Sequence, residues 1–241
     1  MEEILPHNLW IVMPVYNEEA SLASVILEWI GTLDDLGVGY TFLAINDGST
    51  DSSLQILNDH AFKNSSFKVI DKANTGHGQS CIFGYRYAIE NGADWILQID
   101  SDGQCDPYFL PEFVSASQNY SCIYGYRKTR DDGFFRALIS SFVSVFTFAA
   151  TFIWIRDANV PYRLIRADLL SQIVKLVPED FHLANILVSV LCKKLSPIHW
   201  VPIHFRKRTG GTASIKTFSF VRHGFKLFRQ LRNADINYSQ S

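Results

Sequence analysis

The sequence predicts an α/β fold: a Rossmann-like, mostly parallel sheet flanked by helices. Two observations carry this expectation. Apolar runs at Leu9–Val15, Tyr40–Ile45 and Trp95–Leu97 each end in a polar or acidic turn, and the first two turns lead into a helical pattern. Strands that all end in polar residues describe one edge of a parallel sheet, the edge at which open α/β sheets bind ligands.

The elements follow in order. Leu9–Val15 is closed by Tyr16-Asn17-Glu18-Glu19. Asn17 is the expected N-cap, with glutamates in the first turn and Leu22, Val25, Ile26 and Trp29 at helical spacing. Tyr40–Ile45 is closed by Asn46-Asp47-Gly48-Ser49-Thr50-Asp51, where Ser49 or Thr50 is the expected cap of the next helix. Phe67–Asp71 supplies a third strand, and Gly78–Glu90 a helix with Ile82, Tyr85 and Ile89 on one face. Trp95–Leu97 is the fourth strand. A less regular half follows: a strand at Cys122–Tyr126, helices at Asp168–Leu176 and His182–Lys194, and a last strand at His199–Phe205.

Composition supports one sizeable core. The chain has 241 residues and is 47% hydrophobic. Cys81, Cys105, Cys122 and Cys192 are scattered without paired spacing, which argues against a disulfide framework or a zinc site and fits a reducing, cytoplasmic compartment. No signal peptide is expected ahead of Ile4. The net formal charge is −2, yet no Asp or Glu occurs from Phe181 through Ala234. That span carries Lys193, Lys194, Arg206, Lys207, Arg208, Lys216, Arg222, Lys226, Arg229 and Arg232. Phe218, Val221, Phe225, Phe228 and Leu231 fall near helical spacing among those cations. A basic amphipathic helix of this kind suits a membrane surface or a partner, or else packs on its own domain. Nucleic acid fits poorly as a partner, because acidic strand ends repel phosphate unless metal intervenes.

Ala137–Ile155 is uncharged and about 19 residues long, the length of a membrane span. Arg127 precedes it, while Arg163 and Arg208 follow. If these serve one site, the chain does not cross a bilayer between them.

Most chemistry is concentrated in Gln98-Ile99-Asp100-Ser101-Asp102-Gly103-Gln104. Residues i and i+2 of an extended chain share a face, so Asp100 and Asp102 can point together. Clustered carboxylates repel unless a cation or proton lies between them. Oxygen ligands suit Mg²⁺ or Mn²⁺, which also hold substrate phosphates. The pair therefore reads as a divalent-metal site gripping a nucleotide diphosphate, or as a solvated acidic turn. Gly76 and Gly78 allow close backbone approach to a ligand. No Gly-x-Gly-x-x-Gly follows the first strand, which disfavours a dehydrogenase.

An ordered set of motifs resembles the family 2 glycosyltransferases: IVMPVYNEE (11–19), INDGSTD (45–51), NTGHGQS (74–80), QIDSDGQ (98–104), YGYR (124–127), DANVPYRLIR (157–166) and HFRKRTGGTAS (204–214). The soluble catalytic domains of dolichol-phosphate mannose synthase-like and bacterial polysaccharide enzymes are similar. The resemblance implies a GT-A fold and an inverting transfer from a UDP- or GDP-sugar. The implied acceptor is a polyprenyl phosphate or lipid-linked saccharide; a soluble saccharide hydroxyl and nucleotide-sugar binding without turnover are the alternatives. It further implies one domain over 1–216, with a nucleotide-sugar half to about 127 and an acceptor half from about 128. A basic helix and tail at 217–241 would follow, with peripheral membrane contact and a possible homodimer. Residues 137–155 would pack on the domain or lie at the membrane interface.

Roles carry over residue by residue. Pro14, Tyr16, Asn17 and Glu18 resemble a nucleotide-contacting loop, although Glu18 also suits an ordinary first helical turn. Asp47, beside Gly48, resembles the acceptor of a base N–H, from uracil or guanine alike; a plain turn aspartate is the other reading. Gly76, His77, Asp100 and Ser101 fall on the donor side, although His77 equally reads as a solvated loop histidine. Asp100 and Asp102 would ligate Mg²⁺ or Mn²⁺, with Gln104 as a helper. Arg127 and Arg163 would add positive charge near the leaving group. Arg206, Arg208 and Lys216 flank Thr209-Gly210-Gly211-Thr212, similar to a basic loop that closes over the donor. Asp157, then Asp180, are the candidate acceptor-side acids; Asp180 equally suits a helix cap. Two departures lie in the acceptor half. Relatives that mannosylate dolichol phosphate have Thr-Ser-Gly-Phe-Arg where this chain has Asn159-Val160-Pro161-Tyr162-Arg163, and many have Glu where it has Trp200.

Overall fold

The computed structural model describes residues 8–131, 134–181, 183–208 and 226–234. Seven strands form one sheet: β1 (Leu9–Val15), β2 (Tyr40–Asp47), β3 (Phe67–Lys72), β4 (Trp95–Gln98), β5 (Cys122–Arg130), β6 (Arg163–Arg166) and β7 (His199–Phe205). Their order is β3-β2-β1-β4-β6-β5-β7. Every neighbouring pair is parallel except β4–β6 and β6–β5, so β6 alone runs against the others. All the other strands therefore end at the same edge, and antiparallel β6 begins there.

The helices are α1 (Leu22–Leu36), α2 (Ser53–Lys63), α3 (His77–Glu90), α4 (Leu110–Ala116), α5 (Phe134–Thr151), α6 (Ala167–Val174) and α7 (Ala184–Leu195). Residues 226–233 are also helical. The apolar spacing of α1 buries Leu22, Val25, Ile26, Trp29 and Leu33. Helix α3 packs on β1 and β2 and also touches α6 and α7. The connection from β3 to β4 passes β2 and β1, which puts the switch in strand order between β1 and β4.

The seating of α3 depends on Gly84. A Cβ there would lie 2.4 Å from Ile45 Cδ1 and 2.5 Å from Val12 Cγ1. Since core packing tolerates little extra volume, Gly84→Ala is expected to destabilise the protein by about 1–3 kcal/mol. An unchanged urea midpoint would show that α3 can shift outward freely.

Several local expectations are corrected. Asn17 does not cap α1: Ser21 holds the N-cap position, no acid lies in the first turn, and Asn17 adopts φ +54°. Its Oδ1 instead accepts from the Thr50 amide at 2.8 Å. Neither Ser49 nor Thr50 caps α2, whose N-cap is Ser52; the Ser49 hydroxyl accepts from the Asn17 amide at 3.0 Å. Asp180 does not cap α7, which starts after Leu183. Strand β6 was not expected at all.

Among the described residues, no helix is long and apolar enough to cross a membrane. Topology agrees for α5: the strands on either side of it, β5 and β6, are hydrogen-bonded neighbours. All four cysteines are buried free thiols.

Candidate active site

The loops after β1 and β2 are stitched together at the carboxyl edge. Ser53 Oγ accepts from the Glu18 amide at 2.9 Å, and Asp51 accepts from the amides of Glu19 and Ser53 at 3.1 and 2.9 Å. These bonds fix the backbone on either side of Glu18, which is only 6% exposed. Pro14 is buried within β1, and Tyr16 is exposed at the rim. One Glu18 oxygen pairs with the Arg208 guanidinium. The other, Oε2, is buried with no hydrogen-bond partner.

Asp47 is held beneath the neighbouring loop. Its oxygens accept from Lys72 Nζ at 2.5 Å, the Thr75 amide at 2.9 Å and the Gly76 amide at 3.0 Å. Burial acts to raise its pKa, but Lys72, the Thr75 amide and Ser80 outweigh it and hold the carboxyl below its ordinary value. Gly48 (φ +70°) and Gly76 (φ +88°) supply left-handed backbone at this crossing, and a Cβ on Gly48 would meet the Asn74 amide nitrogen at 3.0 Å.

Asp100 and Asp102 follow β4 on the same edge. Asp100 accepts from Gln98 Nε2 at 3.1 Å and lies 3.5 Å from His77 Nε2. Asp102 accepts from the Gln104 amide at 3.1 Å. Ser101, between them, is buried. His77 opens α3, where Asn185 Nδ2 and Cys81 Sγ lie 3.4 and 3.7 Å from its Nε2. Burial disfavours the imidazolium, but Cys81 and Asp100 outweigh it and raise the His77 pKa. The ring is half exposed, which limits the burial penalty. Among the described residues, no three His, Cys, Asp or Glu side chains gather as a metal nest. Two carboxylates remain, and Mg²⁺ commonly binds protein through one or two carboxylates and takes the rest from water and phosphate.

Acid crowding is visible at Glu18. Burial pushes its pKa up to about 7 against the pull of Arg208, with Asp102, Asp100 and Asp51 adding to the rise. Native protein thus keeps a proton that the unfolded chain releases near the ordinary value of 4.5. This contribution to stability is complete below pH 4.5, falls as pH rises to about 7, and is flat beyond. Glu18→Gln is expected to remove that fall. Urea midpoints of the two proteins across this window check it, and parallel curves would contradict it.

The edge continues through β5 and β7. Arg127 donates from Nε and Nη2 to the two oxygens of Asp157, at 2.7 and 2.5 Å, and both side chains are nearly buried. Tyr126, Arg127, Lys128, Arg156 and Asp157 line a cleft of about 350 Å³. Gln104 ties the β4 loop to the end of β7, its Nε2 donating to the Arg206 carbonyl at 3.0 Å. The Arg206 guanidinium reaches Glu28 and Asp106, each at 2.7 Å, and so braces α1 and the loop before α4.

Arg163, expected to add positive charge near the leaving group, is 0% exposed. Its donors go to the carbonyls of Val160 (2.7 Å), Asn185 (2.9 Å) and Ala158 (3.3 Å). It organises the interior below the edge. Asp180 is exposed on the turn before α7, and its carbonyl accepts from Gln230. Thr209 to Thr212 and Lys216 lie outside the described residues, as does most of 217–241. Asn185, Asp51 and Ser53 belong to the network although sequence reasoning did not single them out. Asp51 closes the turn Asn46–Asp51 after the second apolar run, and no sequence signal pointed to Ser53 or Asn185.

The family model described as Glycosyl transferase family 2 matches residues 10–174, well over half of the chain. The chain belongs to glycosyl transferase family 2. An undecaprenyl-phosphate 4-deoxy-4-formamido-L-arabinose transferase of Enterobacter sp. is 28% identical to this family member over 217 residues, covering 90% of the chain and 64% of the relative. The enzyme of the same description from Aeromonas hydrophila is 29% identical over 165 residues, covering 68% of the chain and 50% of the relative. The chain thus spans between half and two thirds of the length of these curated relatives. Among solved structures, glucosyl-3-phosphoglycerate synthase from Mycobacterium tuberculosis, with Mn²⁺, UDP-glucose and phosphoglyceric acid, superposes with a TM-score of 0.69 at 17% identity. That match covers 98% of this chain and 82% of the other. S. aureus TarS in complex with UDP-GlcNAc gives 0.62 at 18% identity, over 95% and 67%. This glycosyl transferase family 2 chain therefore has the GT-A fold.

Proposed function

We propose that the chain transfers a sugar, with inversion, from a UDP- or GDP-sugar to a polyprenyl phosphate. The observation that carries the acceptor class is the Arg127–Asp157 pair. A sugar hydroxyl needs a base, whereas a phosphate monoester is already anionic. Both oxygens of Asp157 are engaged by Arg127, a geometry for positioning rather than for taking a proton. Arg127, Lys128 and Arg156 give the adjoining cleft the charge to receive a phosphate. The similar undecaprenyl-phosphate transferases agree with this acceptor.

On the donor side, Asp100 and Asp102 would hold Mg²⁺ or Mn²⁺. Burial is the main cause of the raised Glu18 pKa, but Asp102 and Asp100 add to it, so their negative charge reaches that carboxyl and a cation bound to them would relieve that part of the rise. Once bound, the ion would neutralise charge on the diphosphate leaving group. Glu18 keeps Arg208 at the same place, ready to pair with a phosphate oxygen. Asp47 and the Thr75 and Gly76 amides shape the floor for the base. In the reaction, a phosphate oxygen of the acceptor attacks the anomeric carbon. The bond from that carbon to the diphosphate oxygen breaks, and the nucleoside diphosphate leaves with the electron pair.

The test is nucleotide release from a panel of UDP- and GDP-sugars with Mn²⁺ and a short polyprenyl phosphate. Release that rises sharply with the lipid supports the reading. Release indifferent to the lipid points to a saccharide hydroxyl, with Asp157 or Asp180 as base. Tight nucleotide binding without release points to a binding protein.

A further inference from the structure

Helix α5 buries hydroxyls beside Ala150 and leaves aromatic side chains exposed. A helix on a water-soluble domain turns its apolar stripe to the core and its polar face to solvent. Here Ser144 and Thr147 are buried, while Phe142, Val145 and Phe148 are exposed. The hydroxyls of Thr147 and Thr151 donate to the carbonyls four residues earlier, at 2.8 and 2.7 Å, and so satisfy themselves against the protein. The aromatic surface continues past the helix end with Phe152, 74% exposed, and Trp154, 56% exposed. Phe148 meets both rings edge-on, at 6.3 and 6.0 Å.

A cationic segment packs on the same helix. The helical segment 226–233 packs against α5 through Phe228, which meets Phe146 at 6.2 Å, while Leu227 and Leu231 are buried. That packing leaves Lys226, Arg229 and Arg232 exposed. Arg156, two residues beyond Trp154, is exposed as well and lines the cationic cleft.

We propose that the outward face of α5, extended by Phe152 and Trp154, docks on an anionic bilayer surface, with Lys226, Arg229 and Arg232 contacting the headgroups. Exposed aromatics accompanied by cations match an interface that is apolar below and anionic above. A second copy of the chain is a poorer occupant, because symmetric pairing through this face would bring two basic segments together. Docking would also set the mouth of the Arg127–Arg156 cleft at the membrane. The proposal concerns where the chain sits and is read by binding alone, so it stands or falls separately from the transfer reaction.

Vesicle flotation tests it. Wild-type protein should float with phosphatidylcholine–phosphatidylglycerol vesicles, more weakly at high salt, and little with phosphatidylcholine alone. The triple variant Phe148→Ser, Phe152→Ser, Trp154→Ser should partition at least about tenfold less, and Lys226→Gln, Arg229→Gln, Arg232→Gln should lose the preference for anionic lipid. Brominated lipid should quench the part of the fluorescence that is missing in Trp154→Phe, a readout that does not depend on the triple variant folding. Wild-type protein that stays unbound with both vesicles, or an unquenched Trp154, overturns the proposal. A dimer that forms without lipid and is dispersed by the aromatic variant assigns the face to a second copy instead.

Discussion

Asp102→Asn is expected to lower turnover about 10³-fold while leaving the unfolding free energy within about 0.5 kcal/mol of wild type. The asymmetry follows from position. Asp102 lies at the carboxyl edge, is not fully buried, and accepts from the Gln104 amide two residues further on. Its charge, by contrast, sits where a diphosphate must be neutralised on leaving, and an uncharged amide supports a divalent cation poorly. The substitution has a second signature independent of turnover. Asp102 is one of the charges raising the Glu18 pKa, so its loss should bring Glu18 down from about 7. The pH window over which stability falls would then close from its upper end. A variant with turnover within threefold of wild type would remove Asp102 from the chemistry. Lost turnover with an unmoved Glu18 titration would mean that the two carboxylates do not sense each other.

The sheet edge was legible in the sequence because parallel strands advertise themselves. Each is an apolar run, and each ends where the chain must become polar to reach solvent or ligand. Val15, Asp47 and Gln98 close β1, β2 and β4 close to where composition changes. Strand β6 was not legible, for a physical reason. It has four residues, with arginine at both ends and a proline two positions before it. Such a segment shows no period, and only its pairing between β4 and β5 makes it a strand. The same limit applies to side-chain partners. Asp100 and Asp102 could be singled out because they are neighbours in sequence. The contact of Asn185 with His77 joins positions 108 apart, and that of Arg206 with Glu28 positions 178 apart. Nothing local announces either. The two sides of α5 were hidden differently: its length and lack of charge were plain, but which side faces the protein is decided by packing.

Arg163→Met is expected to destabilise the protein by about 3–5 kcal/mol, the range for a buried charged group whose partners are left stranded. The guanidinium serves three carbonyls from two separate places, Ala158 and Val160 ahead of β6 and Asn185 on α7. It also lies 5.1 Å from the centre of the Tyr124 ring on β5. None of the ion pairs among the described residues includes it. Its charge is therefore met by dipoles and a ring face, arrangements that a planar fork can satisfy and an ammonium cannot. Arg163→Lys should accordingly recover only part of the loss. The cost should fall on α7 as well as β6, because Asn185 both accepts from Arg163 through its carbonyl and approaches His77 through its side chain. A shift of α7 would move that amide away from His77 and loosen the first turn of α3. Urea midpoints and residual turnover at low temperature separate the two roles that the residue could have. A large midpoint shift with turnover preserved in the folded fraction identifies Arg163 as the strut beneath the site. A wild-type midpoint with abolished turnover would return it to the leaving group.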